Sequence, residues 1–443
     1  MVTVKDRIAA MTGCFAAGAM VVGSKAAAIV LAIWAVIMLA CVIRQRSDWT
    51  RLWADLLAPS VPVALFLAFA TLSASSALWA HAPDAALKSG ALLGMVIILG
   101  CVLRLGLDRL SPHGAMLVAG WFVIGLVGGC LLLFAELYSN FGIFRWAMAT
   151  FPDIRPPKNS MIVVKGQDVN LIHRAFANWS VAGLNLLTWP SLLILSAAVA
   201  RRWRVAACLA LIAVSLAVTF TSDHETSKIA VGLSAVVFAI SLRAGAKTRS
   251  AAILTIVALV LSVVPLAQIA YSRLELQNAA WAQFTLKERF KIWGNVSENV
   301  WKAPVLGIGA NNTTIEHTQK LKPSNRTWPS HHPHNMVLQI WLELGAAGAA
   351  LLIAAAALSV TGVGRLHPSA ISFGFATLAM AAVQSMATWN LWHEWIQSMF
   401  MMSFCILMLG NRVVTDQAAG LSAAFSKIWL PERLRHVLSK RSV

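Results

Sequence analysis

The chain has 443 residues, of which 58% are hydrophobic and only 12% are charged, and its formal charge is +18. With a mean hydropathy of +0.70, it lies outside the range of soluble globular proteins and is predicted to be a polytopic membrane protein. The spans are predicted to be helices, because backbone groups in lipid need partners within their own segment and the apolar runs are far longer than barrel strands.

Twelve apolar runs are long enough to be predicted as membrane spans. In chain order they are residues 8–23, 26–43, 59–79, 88–104, 115–136, 177–200, 205–221, 228–243, 251–270, 336–359, 370–388 and 395–410. An even number of spans puts both termini on the same side of the membrane. We therefore expect an all-α polytopic membrane protein of about twelve transmembrane helices, with residues 1–443 forming a single membrane domain.

Clusters of arginine and lysine occupy alternate gaps between these runs. They are Arg44, Arg46 and Arg51, then Arg104 and Arg109, then Arg201, Arg202 and Arg204, then Arg243, Lys247 and Arg249, and finally the basic tail over residues 411–443. This pattern follows the positive-inside rule and predicts that these gaps face the cytoplasm. Membrane topology thus explains much of the positive charge, and no nucleic-acid partner is expected.

Two long segments, residues 138–176 and 271–335, are predicted to lie on the opposite side of the membrane. Between Arg273 and Arg326 the second segment holds eight lysines and arginines against four glutamates. Long loops are exempt from the positive-inside rule, so ordinary solvated charge is one explanation. As a cluster, the surplus of cations favours an anionic ligand, and the functional site is expected in this second, partly helical loop.

A surface helix is predicted over residues 281–301 of the second loop, where apolar residues recur at helical spacing from Leu286 to Val300. The helix should stop before Pro304. Gly307 and Gly309 then allow backbone conformations that other residues rarely adopt. A lone Gly-x-Gly with no preceding strand is a weak phosphate signal, so no nucleotide-binding loop is predicted.

The second loop joins an apolar helix through the stretch from His331 to Gly348. Pro333 disfavours helix at the residue before it, and Asn335 is a good N-cap. The helix should therefore begin almost at His334. This places an imidazole where the outer loop meets the membrane.

Deeper in the same helix, Gly345 and Gly348 are predicted to let a neighbouring helix approach closely. Glu343 lies about two turns into the span, where a carboxylate is costly. Either a hydrogen bond to another helix or a proton path would explain this glutamate, and the hydrogen-bonded packing is the interpretation that we favour.

Three separate segments on the outer side each contribute a cation near the membrane surface. Arg174 precedes the sixth span, Lys228 closes the short link 221–228, and Arg289 lies on the predicted surface helix. Arginine offers a planar donor fork suited to phosphate oxygens, lysine offers a point charge, and imidazole can accept a proton near neutral pH. Together with His334 as the base, these cations suit group transfer from a phosphorylated lipid.

Each of these residues also has a structural alternative. The cations could be interface anchors, and the histidine could be a residue that only ends a helix. A zinc site at His331, His332 and His334 is disfavoured because carboxylates are not nearby and no metal motif is present, so no metal is expected. A transporter would place its polar residues near the bilayer midplane, whereas here they gather at one face.

Three segments of the outer side are similar to those of a known family. The stretch from His334 to Gly348 reads His-Asn, nine residues and then Gly-x-x-Gly, and this matches the signature of the O-antigen ligase family. Residues 289–309 resemble the region that this family shares with O-antigen polymerases and protein O-oligosaccharyltransferases. The link 221–228 looks like the short Ser-Lys/Arg segment of the family.

The resemblance implies a GT-C-type membrane glycosyltransferase, multi-pass in the inner membrane of a Gram-negative bacterium, with its site facing the periplasm. It would transfer O-antigen polysaccharide en bloc from undecaprenyl diphosphate to a sugar hydroxyl of the lipid A-core oligosaccharide, with inversion and without metal or other cofactor. Its partners would be these two substrates and membrane lipids. Residues 138–176 and 271–335 would be periplasmic loops and residues 411–443 a cytoplasmic tail.

The resemblance also implies roles for individual residues. His334 becomes the general base, and Arg289 and Arg174 bind the diphosphate. The substrate-binding candidates are Lys228, Asn335, Lys291 and His332. An O-antigen polymerase, which extends one lipid-linked glycan with another, would need the same base and cations and remains an alternative, as does a transporter of lipid-linked glycan.

Overall fold

The computed structural model describes residues 3–43, 46–151, 162–165, 168–171, 177–313, 332–387 and 389–429. It confirms the predicted helical membrane protein, with fourteen α-helices in the described part of the chain. They are α1 (Val4–Val22), α2 (Ala27–Val42), α3 (Arg46–Leu57), α4 (Val61–Ser75), α5 (Pro83–Asp108), α6 (Pro112–Tyr138), α7 (Gly142–Thr150), α8 (Asn178–Ala198), α9 (Arg201–Thr221), α10 (Glu225–Ser272), α11 (Phe284–Val300), α12 (Met336–Val363), α13 (Pro368–Ala387) and α14 (Glu394–Trp429).

Eleven stretches of the described helices are long and apolar enough to cross a membrane, one fewer than the sequence predicts. The difference is α1, whose first turn carries Lys5, Asp6 and Arg7. Helix α1 is nevertheless a core element. It packs so closely along α6 that a Cβ atom at Gly125 would lie 1.9 Å from the carbonyl oxygen of Cys14, and glycine is what allows this approach.

Helix α10 combines two predicted spans in one helix of 48 residues. Its first half, Glu225–Arg243, packs on α8, where the rings of Phe238 and Trp189 stack at 4.8 Å. Its second half, Lys247–Ser272, packs on α12, where Trp341 donates its ring N–H to an α10 carbonyl at 2.7 Å. The two halves therefore contact different parts of the bundle, as two spans would.

Both long loops contain regular structure. Within residues 138–176 lie helix α7 and an antiparallel hairpin of β1 (Ile162–Lys165) and β2 (Asp168–Leu171), which are too short to give a periodic signal in the sequence. The helix predicted over residues 281–301 is confirmed by α11, but it begins at Phe284 and most of its second half is buried instead of lying on the surface. Helix α14 continues beyond the apolar run into residues 411–443.

One end of the bundle holds the first residues of α10 and α12 and the last residues of α9 and α13. It is referred to below as the site end. Gln384 of α13 donates to the hydroxyl of Ser227 in the first turn of α10 at 2.9 Å. Gln339 in the first turn of α12 donates to Asn390, just after α13, at 2.8 Å. The links between these helices thus converge where α12 starts.

Basic residues predicted to face the cytoplasm gather at the opposite end. Arg109 pairs with Asp55 at 2.7 Å. The guanidinium of Arg412 donates to the backbone carbonyls of Leu107 and Leu110 at the end of α5. Arginine bound to the last carbonyls of a helix is favourable both as a cap and against the helix dipole.

Helix α12 is broken at Gly345, whose φ of 58° and ψ of −155° are not helical. The backbone of residues 304–309 fills the break. Two N–H groups of this loop donate to α12 carbonyls that precede the break, and two carbonyls of the loop accept from α12 N–H groups that follow the break, at 2.9–3.1 Å. The expectation that Gly345 admits a neighbouring helix is therefore wrong. It admits a loop, and a Cβ atom there would lie 2.5 Å from the backbone of Val305.

Two glycines of the inserted loop adopt the backbone that the sequence predicts. Gly307 and Gly309 have φ angles of 67° and 99°. A Cβ atom at Gly307 would lie 2.2 Å from the backbone of Glu343. Only glycine therefore allows the loop to come close enough to satisfy the polar groups that the break exposes, as an apolar environment requires.

Candidate active site

The loop that carries His334 is anchored on both sides. Trp293 of α11 donates its ring N–H to the carbonyl of Pro333 at 2.8 Å. Asn335 caps α12 by accepting the N–H of Leu338 at 2.9 Å, so the predicted N-cap is confirmed. Between these anchors His334 has a φ of 55°, a left-handed backbone that residues other than glycine adopt rarely. Such strain persists only where the surroundings hold it, as they do here.

Three imidazoles meet beside this loop. The ring of His332 lies 4.1 Å from that of His334, centroid to centroid, and 6.1 Å from that of His393, which precedes α14. Burial lowers the pKa of His393, Glu394 opposes this shift, and the charge of Lys25 adds to it. His393 is therefore mainly uncharged at neutral pH.

Arg289 lies one turn before Trp293 on α11 and therefore on the face that is anchored to the His334 loop. Its side chain is half-buried, and burial lowers its pKa, although arginine stays charged at neutral pH. No carboxylate in the described part of the chain forms an ion pair with it. A partly buried cation without a counter-ion is costly, and an anionic ligand would relieve that cost.

His224 lies in the short link between α9 and α10, near the charges of Arg289 and Lys228. It is 5% exposed, and its Nδ1 lies 2.6 Å from the hydroxyl oxygen of Ser227. Its ring lies 5.6 Å from that of Trp389. Burial lowers the pKa of His224 to about 4, and the charges of Arg289 and Lys228 act in the same direction. The fold thus brings these two predicted cations to one buried imidazole.

Lowering the pH from 7 to 5 is expected to destabilise the wild-type fold more than a His224→Asn variant. The imidazole titrates near pH 6.5 when exposed but only near pH 4 when folded. Between these values the unfolded chain binds more protons, so stability falls as the pH falls, by about 2 kcal/mol at pH 5. Thermal unfolding in detergent at both pH values measures the difference. Equal losses in the two proteins would contradict the prediction.

Two of the predicted substrate-binding lysines form ion pairs. The Nζ atom of Lys228 lies 2.8 Å from a carboxylate oxygen of Glu225, and that of Lys291 lies 2.7 Å from a carboxylate oxygen of Glu288. The charge of Lys228 nevertheless lowers the pKa of the buried His224. Lys291 is exposed and is not brought to the imidazoles by any contact of the described residues.

Arg174 and His331 lie outside the described residues. The predicted role of Arg174 at the diphosphate therefore stays a prediction. The zinc alternative needs His331 together with His332 and His334. Among the described residues, no three histidines, cysteines or carboxylates are arranged to hold a metal ion.

Residues 210–353, about a third of the chain, match the family model described as O-antigen ligase. The domain in this segment is that of the O-antigen ligase family. The matched segment runs from α9 into α12 and contains Lys228, Arg289 and His334, so the predicted resemblance is confirmed. No curated protein matches the chain in sequence.

The match to the O-antigen ligase family implies a glycosyltransferase-like enzyme that acts on lipid-linked glycans. The many apolar helices agree with the multi-pass membrane protein that this requires. The family match does not separate a ligase from a polymerase.

Three residues of the site region, His224, Trp389 and His393, were not selected from the sequence. His224 belongs to the O-antigen ligase family domain and stands in the same link, 221–228, that was singled out for Lys228. Trp389 and His393 lie beyond the domain, in the short link between α13 and α14. The available signal was their position, since all three lie in polar links between spans at the site end.

Proposed function

We propose that this protein is an O-antigen ligase of the bacterial inner membrane with its active site facing the periplasm. It transfers O-antigen polysaccharide en bloc from undecaprenyl diphosphate to a hydroxyl of the lipid A-core oligosaccharide. It is an inverting, GT-C-type glycosyltransferase that needs neither metal nor other cofactor. The observation that supports this is Arg289, a half-buried cation without a counter-ion among the described residues, on the helix that is anchored to the His334 loop.

Arg289 binds the diphosphate of the lipid donor. Its planar donor groups match two phosphate oxygens at once. Negative charge grows on the diphosphate as the sugar leaves, and a fixed, half-buried cation stabilises that charge more than solvent would. Arg174 shares this role in the proposal. Lys228 adds a second positive charge near the same buried imidazole.

His334 acts as the general base. It takes the proton of the attacking lipid A-core hydroxyl, whose oxygen forms a bond with the anomeric carbon of the O-antigen. The bond between that carbon and the phosphate oxygen breaks, and its electron pair stays on undecaprenyl diphosphate. Attack from the face opposite the leaving group inverts the anomeric centre.

The other substrate-binding residues follow from their positions. The ring of His332 contacts that of His334 and can hold the acceptor sugar against it. The side-chain oxygen of Asn335 is used by the helix cap, so its amide N–H groups are the part available to a substrate. Lys291 is exposed and paired with Glu288, which limits it to long-range attraction of an anionic substrate.

The orientation in the membrane rests on the charge distribution. Arg109 and Arg412 lie at the end of the bundle opposite the site, where the positive-inside rule would place the cytoplasm. Residues 138–176 and 271–335 are then periplasmic loops and residues 411–443 a cytoplasmic tail of one membrane domain. Both lipid substrates can reach such a site from the surrounding bilayer.

Glycan transfer by the purified protein in detergent tests the proposal. The substrates are lipid A-core and undecaprenyl-diphosphate-linked glycan, each with and without a chelator of divalent cations. We expect lipid A-core to be converted into a ladder of glycan-bearing products at a rate that the chelator leaves unchanged.

Two other results would replace parts of the proposal. A protein that lengthens the lipid-linked glycan and leaves lipid A-core untouched is a polymerase. Transfer that stops in chelator and returns with added metal would show that a metal takes part. Omitting one substrate at a time provides the control, since a ligase makes no product from lipid-linked glycan alone.

A further inference from the structure

We propose that His224 is a third donor to the diphosphate in the ligase site, binding a phosphate oxygen through its Nε2–H next to Arg289. The inference rests on the proposed function, because it assigns one more contact to the same substrate. It gives His224 a binding role that differs from the role of His334 as the base.

The first observation is a buried polar atom without a partner. His224 is 5% exposed, and its Nε2 has no hydrogen-bond partner among the described residues. Buried polar groups in folded proteins are nearly always hydrogen-bonded, since leaving one unpaired is costly. A ligand that occupies the site would supply the missing partner.

The second observation concerns which ring nitrogen carries the proton. Gln384 donates an N–H to the hydroxyl oxygen of Ser227 at 2.9 Å, and that hydroxyl lies 2.6 Å from Nδ1 of His224. The Ser227 hydroxyl can therefore donate its hydrogen to Nδ1. We assign Nδ1 as that acceptor, which places the proton of the neutral ring on Nε2. The buried, unpaired group is therefore a donor.

The third observation is the charge around the ring. Arg289 and Lys228 both lie close enough to His224 to lower its pKa to about 4 together with burial. Two cations repel a metal ion and attract an anion. A neutral imidazole with so low a pKa is also a weak base, so donation to an anion is the chemistry that remains.

A phosphate group is the anion that these donors fit. Arg289, Lys228 and the neutral Nε2–H of His224 together offer several hydrogen-bond donors. The oxygens of a diphosphate together carry more than one negative charge and can accept from several donors at once. The phosphates could belong to the lipid donor or to lipid A. We assign them to the donor, because the half-buried Arg289 has no counter-ion among the described residues and the leaving diphosphate is the group that gains charge in the reaction.

Two variants separate the two ring nitrogens. In His224→Asn the amide reaches the Nδ1 position and keeps the contact with Ser227 but lacks a donor at the Nε2 position. In His224→Gln the longer side chain places an amide N–H near the Nε2 position. His367→Asn, at the opposite end of the bundle, is the matched control.

Binding of undecaprenyl diphosphate to the purified proteins in detergent gives the readout, with lipid A-core as the second ligand. We expect His224→Asn to raise the Kd for undecaprenyl diphosphate about 10- to 100-fold, as for loss of a hydrogen bond to a charged group. His224→Gln and His367→Asn should stay within about 3-fold of wild type, and the Kd for lipid A-core should not change. Thermal unfolding of each variant checks that it is folded.

Three outcomes would overturn the assignment. Equal binding of undecaprenyl diphosphate by wild type and folded His224→Asn would show that Nε2 does not touch it. Weaker binding of lipid A-core alone would move the imidazole to an acceptor phosphate. Wild type that binds no undecaprenyl diphosphate at all would overturn the proposed ligase function as well, which distinguishes the two failures.

Discussion

A His334→Ala variant is expected to lose glycan transfer by about 100- to 10,000-fold, the usual range for a general base. Binding of the lipid-linked donor should persist, because Arg289 is on a different helix and is anchored through Trp293 to the backbone of Pro333, not to the imidazole. Single-turnover transfer and donor binding, measured on the same preparation, separate chemistry from binding.

The left-handed backbone at His334 calls for a second variant. Alanine at a φ of 55° is strained, whereas asparagine tolerates this region. His334→Asn should therefore keep the loop in place and still lack the base. His332→Ala, whose ring lies 4.1 Å away, is the control and should cost less than about 10-fold. If His334→Asn transfers glycan at the wild-type rate, His334 is not the base.

The membrane spans are the part of the fold that the sequence predicted best. The run 115–136 became α6 (Pro112–Tyr138), and the run 336–359 became α12 (Met336–Val363). Such runs are recognisable because their ends coincide with a change from apolar to polar residues, which is local information. The first run was the exception, since Lys5, Asp6 and Arg7 lie within the helix and not before it.

The break in α12 could not be predicted, because the groups that satisfy it come from elsewhere in the chain. Gly345 lies in an apolar run that reads as unbroken helix, and the loop that fills the gap is about forty residues upstream. Gly307 and Gly309 did predict an unusual backbone, but nothing local indicated what that backbone would contact. Pairing between distant segments is decided by packing.

The site residues also divide into those with a local signal in the sequence and those that only the folded structure brings out. Arg289, Lys228 and His334 stood out because their types and positions suit phosphate chemistry. His224 lies four residues before Lys228 and was passed over, because its importance comes from burial and from an unpaired Nε2, neither of which a sequence displays. Trp389 was passed over for the same reason, since its contact with His224 forms only in the folded bundle.

The largest loss of stability is expected from Glu343→Leu. Glu343 is fully buried, and its carboxylate accepts from the backbone N–H groups of Asn311 and Thr313 at 2.8 and 3.2 Å and from Gln339 at 3.1 Å. The hydroxyl of Thr313 and the ring N–H of Trp392 also donate to it. The carboxylate is hydrogen-bonded as predicted, but its partners lie in loops and in α12 itself and not on another helix.

Leucine at this position would remove the acceptor of five hydrogen bonds inside the bundle. Each unpaired buried donor costs about 1–3 kcal/mol, so the variant should lose more than about 5 kcal/mol and fail to give monodisperse protein in detergent. Gel filtration and thermal unfolding measure this. Glu136→Leu is the matched control: it is also buried in a span, but its carboxylate accepts fewer hydrogen bonds, from the backbone N–H groups of Phe144 and Ile143.

A milder change connects this carboxylate with the site. Glu343→Gln keeps the size of the side chain but turns one acceptor oxygen into a donor that faces other donors. The partner Gln339 also binds Asn390 at 2.8 Å, in the link that carries His393, so the glutamate helps to hold that link against the start of α12. We expect Glu343→Gln to melt below wild type and to transfer glycan more slowly at temperatures where it is folded.

Equal melting temperatures for Glu343→Leu and Glu136→Leu would show that the loop, the break and the link are held by other contacts.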